Sequence, residues 1–168
     1  MPETLAHLGM SRNWRSSARL TIVLVSGFSV ALLSGCFGPG KVDREVLSQI
    51  VHCPDRSRCQ VPIRSVTSFD WDEVYAFNGA TTESERDSAL GIKDEGFLEF
   101  LPQLVFTKNG RIVYQESEPS DVEHPIKDEL IFERPDSTRY AVYSSGAVFS
   151  ARQETGPEGS YYILKQVQ

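Results

Sequence analysis

The chain holds only three cysteines and three histidines among 168 residues, and that scarcity narrows the chemistry open to it. No H-x-x-H pair offers two imidazoles to a metal, and no G-x-S-x-G elbow presents a nucleophilic serine. Positive charge is also short: 17 Lys and Arg stand against 23 Asp and Glu, a formal charge of −6. A chain of that balance lacks the basic footprint of a nucleic-acid binder. Its longest apolar stretch, Leu20 to Leu33, runs 14 residues, below the roughly 17 to 25 that a membrane-spanning helix needs. Internal repeats and low-complexity tracts are missing as well, and no cofactor motif stands out.

What is present begins with the leader. Arg12, Arg15 and Arg19 precede the 14-residue apolar stretch, the order of a cleavable export signal. Small Ser34 and Gly35 follow and suit the narrow pocket of a signal peptidase, whereas the A-x-A site of general secretion is absent. The run Leu33-Ser34-Gly35-Cys36 resembles the acylation site of bacterial lipoproteins, a likeness that covers residues 10 to 36. It implies a diacylglycerol in thioether linkage to the Cys36 sulfur, cleavage between Gly35 and Cys36, and acylation of the new amino terminus by a fatty acid such as palmitate. An uncleaved anchor and a secreted form without lipid are the alternatives. Residues 1 to 9 add nothing a signal needs, so Met10 is the expected start. By the same resemblance Phe37, standing where aspartate retains enteric lipoproteins in the inner membrane, implies an outer-membrane destination facing the periplasm.

Residues 1 to 35 hold three of the 17 basic and one of the 23 acidic residues, so the mature part carries 14 against 22, a formal charge of −8. Its 133 residues suffice for one domain with a core and are too few for two. The expected organisation is a signal peptide over 1–35, a lipidated tether over 36–41 and a single small domain over 42–168. The tether reaches less than roughly 20 Å at 3.3 to 3.6 Å per residue. The domain should therefore sit close to its membrane, held by acyl chains, since an anionic surface gains nothing from anionic head groups.

Once Cys36 carries lipid, Cys53 and Cys59 remain as a C-x5-C pair. In an exported domain an even pair reads as a disulfide, and closing so short a loop contributes about 2 kcal/mol in the chain-entropy account. Zinc binding with His52 and a redox pair are weaker readings, because thioredoxin-type motifs use C-x-x-C and zinc sites seldom space two cysteines this way. Disulfide formation in an oxidising periplasm points to a Gram-negative envelope.

Along the domain, Val42, Val46, Leu47, Ile50 and Val51 recur at helical spacing, which predicts a short amphipathic helix. Val61 to Val66 reads as an edge strand because Pro62 removes a ladder donor, and Glu73 to Phe77 as a firmer one. Thr82-Glu83-Ser84-Glu85 fits a capping box and Gly91 a helix end, giving a second helix over 83–90. Lys108-Asn109-Gly110 between two apolar runs predicts a type I′ hairpin. Further strands are expected over Glu129 to Glu133, Arg139 to Tyr143, Ala147 to Arg152 and Tyr161 to Val167. The sum is an α+β domain, two short helices packed on an antiparallel meander whose other face is wet.

Phe69-Asp70-Trp71-Asp72-Glu73-Val74-Tyr75-Ala76-Phe77, with the later Leu104 to Val113 hairpin, resembles a group of small bacterial lipoproteins of uncharacterised function that share a W-D-x-V-Y-x-F strand. The likeness covers residues 61 to 118. Gly79-Ala80 stands here where those relatives often carry Pro-Tyr. The group has no known activity, so the resemblance implies fold and anchoring and assigns no active site.

Candidate chemistry is thin. Asp70, Asp72 and Glu73 flank Trp71, yet adjacent carboxylates on a strand face opposite ways, so only Asp70 and Asp72 share a face, and no calcium loop follows. A solvated face with Trp71 in the core is the expected arrangement. Chain order permits a serine enzyme using Ser144 or Ser145 with His124 and Asp121, and nothing else supports one. Tyr140, Tyr143, Tyr161 and Tyr162 could form an exposed aromatic contact surface. These residues lead to a non-catalytic envelope module with a protein partner; a small-ligand binder or hydrolase using His124 and nearby acids is the alternative.

Overall fold

A computed structural model describes residues 40–55, 59–117, 125–135 and 138–167. Gly35, Cys36, Asp121 and His124 thus lie outside the described residues. Helix α1, Lys41–Val51, buries Val42, Val46 and Ile50 at four-residue spacing. Its first turn has no side-chain cap of its own. The carboxylate of Glu116, 73 and 74 positions away, fills that role by accepting from Val42 N at 3.1 Å and Asp43 N at 3.2 Å. A negative group there satisfies orphan amides and opposes the positive end of the helix dipole. Helix α2, Glu83–Leu90, starts with the expected capping box between Thr82 and Glu85 and ends at Gly91 with φ 68°.

The strands are β1 Gln60–Pro62, β2 Glu73–Phe77, β3 Gln103–Lys108, β4 Arg111–Ser117, β5 Leu130–Phe132, β6 Tyr140–Ser144, β7 Val148–Gly156 and β8 Gly159–Val167. β3 and β4 form the expected hairpin, with Asn109 at φ 51° and Gly110 at φ 69° supplying the two positive angles of its turn. β1 is shorter than expected: after Pro62 the chain turns into a 3-10 segment over Ile63–Ser65, because proline cannot extend the ladder.

The α+β class holds, with an arrangement richer than one meander. Two four-stranded sheets form, ordered β1-β7-β8-β5 and β4-β3-β2-β6. β5 runs parallel to β8 while every other pairing is antiparallel. The expected wet face is instead a shared core. Val74, Ala76, Leu104, Phe106, Ala141 and Tyr143 from one sheet meet Val61, Phe132, Phe149, Ala151, Tyr162 and Leu164 from the other. Fully buried Trp71 packs edge-on to Phe106 and donates its indole N–H to Thr67 Oγ1 at 2.9 Å. Its burial contributes about 2 to 3 kcal/mol.

The outer face of the second sheet carries α2, whose Leu90 joins Phe77 and Val105 in a smaller core. Register fixes the two ends of that sheet. Gln103 faces Ser117 and Phe77 faces Tyr140 at one end, while Lys108 faces Arg111 and Glu73 faces Ser144 at the other.

Candidate functional site

A cleft of about 230 Å³ opens between the turn after β2, the start of β3 and strand β5. Phe77, Leu104, Leu130 and Phe132 give it apolar walls, and Asn78, Gln103, Glu129 and Arg134 bring polar groups. Three of those four are engaged within the fold. Asn78 Oδ1 accepts from Ala80 N at 3.0 Å and Thr81 Oγ1 at 3.1 Å. Gln103 accepts from Arg86 and donates to Ser117 Oγ at 2.7 Å, and Glu129 accepts from Ile126 N at 2.8 Å. Arg134 is half-buried and has no ion-pair partner among the described residues. Burial pushes its pKa below the ordinary value, and the Tyr143 hydroxyl nearby pulls the other way. A partly desolvated guanidinium beside apolar walls suits a carboxylate or phosphate joined to an apolar group.

Beyond the cleft, α2 buries a second arginine. Arg86 is fully enclosed and pairs closely with buried Asp94; it also donates to Gln103, and to Gln115 Oε1 at 3.3 Å. Its guanidinium lies 5.5 Å from the ring centres of both Phe77 and Phe97. Burial lowers its pKa to about 10, which leaves it cationic at neutral pH. The network is structural: it pins the 91–102 segment to the outer face of the sheet.

The acids around Trp71 do not converge. Asp70 pairs with Arg64 at 3.0 Å, Asp72 takes Lys108 Nζ at 2.8 Å and Asn109 N at 2.9 Å, and Glu73 accepts from Tyr75 O–H at 3.0 Å. The Lys108 hydrogen bond holds Asp72 below the usual carboxylate range. Among the described residues no group of three or more His, Cys, Asp or Glu converges on a metal-sized point. His52 is exposed, with Nδ1 2.7 Å from the Ser48 carbonyl oxygen at the end of α1.

One expectation needs correction. Tyr143 and Tyr162 are core residues at 6% and 4% exposure, since strand alternation turns them toward the opposite sheet, while Tyr140 and Tyr161 are half-buried. The four tyrosines therefore form no continuous contact surface. Cys53 and Cys59 stand here as thiols with their side chains within hydrogen-bond reach of each other, the proximity that the expected disulfide requires. Cys53 Sγ also lies 3.6 Å from the Asp55 carbonyl oxygen, to which it donates. Burial, with a hydrogen bond to Cys53, pushes the Cys59 thiol up to about 12.

Neither arginine was foreseen from the sequence. The available hint for Arg86 is its spacing, one helical turn before Leu90, which places both on the inward face of a very short helix. Arg134 carries no such hint. No family model, curated protein or solved structure matches this chain.

Proposed function

We propose that this protein is a lipid-anchored module of the bacterial cell envelope that works by binding an envelope protein, without catalysing a reaction. The observation that carries this reading is the distance between anchor and fold. Helix α1 begins at Lys41 and its start is fixed to β4 through Glu116, so four residues separate Cys36 from a rigid element. At 3.3 to 3.6 Å per residue the five steps from Cys36 to Lys41 extend at most about 18 Å. An acylated Cys36 would hold the domain against the leaflet, where partners at the membrane face are within reach and the cell wall is not.

Intact-mass analysis of the protein from its host's membranes tests the anchor, and a mature chain with acylated Cys36 is the expected species. Proximity labelling around the wild type and a Cys36→Ala form tests the partner. One envelope protein should be enriched with the former and lost with the latter. A free Cys36 thiol, or identical labelling by both forms, contradicts the proposal.

The cleft favours a second reading, a binder of small amphipathic anions. Octanoate should then raise the thermal midpoint of wild-type protein and leave that of Arg134→Gln unchanged. Equal response of the two forms excludes Arg134 as the anion's partner.

A further inference from the structure

The two most exposed large apolar side chains among the described residues are Phe100 at 72% and Leu98 at 47%. Both sit on the segment between α2 and β3. Phe100 adopts φ 64°, a left-handed conformation that costs a side-chain-bearing residue roughly 1–2 kcal/mol. A slack loop would relax that strain and bury the ring. The start of this loop is held in place: Asp94 is locked to Arg86, and the Gly96 carbonyl accepts from Gln115 Nε2 at 3.4 Å and Gln103 Nε2 at 3.5 Å. The fold thus holds an aromatic ring outward at a backbone cost.

Its location identifies what it meets. Gly96 rests on Gln115 and Gly40 on the adjacent Glu116, so the apolar loop and Gly40 sit at the same end of β4, on opposite faces of its sheet. Gln103, which ends the loop, faces Ser117 at that end. Gly40, the first described residue there, stands four positions after Cys36. A leaflet holding the Cys36 acyl chains would lie within about 14 Å of Gly40, at the end of β4 toward which the loop bearing Phe100 leads.

We infer that Phe100 and Leu98 form a second membrane contact, dipping into the head-group region of the leaflet that holds the lipid anchor. This rests on the proposed acylation of Cys36. An aromatic and an aliphatic side chain gain by leaving water at an interface, and the acyl chains supply the high local concentration that so small a patch could not achieve alone. Glu95 and Glu99 flank the patch and are exposed, so the contact favours zwitterionic over anionic lipid.

The test uses acylated protein from host membranes, reconstituted into phosphatidylcholine vesicles with brominated acyl chains. Phe100→Trp places a reporter in the patch, and Arg111→Trp places one at the opposite end of β4. Native Trp71, fully buried, reports that each variant is folded. Emission from the Phe100→Trp protein should fall about twofold on brominated relative to plain vesicles, and Arg111→Trp and wild type should not change. If Phe100→Trp is folded, floats with the vesicles and is not quenched, the membrane contact is refuted while the anchor stands. Protein that fails to float, with a free Cys36 thiol by mass, refutes the anchor and the contact with it.

Discussion

The two ends of strand β4 differ in every respect that matters for placing the molecule. At the Arg111 end the hairpin tip is polar and exposed, and its ion pair, Lys108 with Asp72, leaves the two side chains 35% and 46% exposed. At the Ser117 end the ion pair of Arg86 with Asp94 is buried at 0% and 4%, the start of α1 is capped by Glu116, and Phe100 and Leu98 stand in the open. Water-facing pairs of the first kind contribute little, and their loss costs little. The second kind is costly to break, because removing one partner strands the other charge away from water. The molecule thus has one polar, exposed end and one end where a buried ion pair holds the start of an apolar loop, the end at which the proposed tether would join.

Substitutions should expose that asymmetry in descending order. Arg86→Met leaves Asp94 buried without a counter-charge and should lower unfolding stability in urea by about 3–5 kcal/mol. Adding Asp94→Leu should recover much of the loss, since a buried pair replaced by apolar groups is close to neutral. Glu116→Ala removes the remote cap of α1 and should cost about 1–2 kcal/mol in the same assay; an unchanged midpoint would show that the cap does not hold α1.

The smallest effect belongs to the exposed end. Asp72 has a folded-state pKa below its ordinary 3.8 through Lys108 and Asn109, so its contribution is present above that value and fades as pH falls through the lower one. Asp72→Asn should therefore differ slightly from wild type near neutral pH, and the two thermal midpoints should converge as the pH drops below 3.8. A gap that widens in acid would contradict this assignment.

Local chemistry was legible in the sequence. Thr82 and Glu85 form their capping box, Asn109-Gly110 turns its hairpin, and the Val42, Val46, Ile50 stripe is buried. Long-range choices were not. Alternation in β6 and in β7 looks alike, yet β6 inserts beside β2 while β7 and β8 build the other sheet. Nothing local distinguishes those partners, because each strand needs only a buried face, and two sheets facing each other supply it as well as helices do. The same limit hid the cleft, whose walls come from β2, β3 and β5, and the cap from Glu116, which depends on contacts more than 70 positions apart. Charged residues were read as solvated, and Arg86 breaks that rule because Asp94 and two glutamines enclose it.

Hydrogen exchange of the acylated protein, free in solution with a carrier and then on phosphatidylcholine vesicles, tests most directly whether the two ends face different surroundings. Amides of residues 96–101 should exchange more slowly on vesicles and those of 108–111 should not change. Slowing at the hairpin tip, or at neither end, would contradict the account.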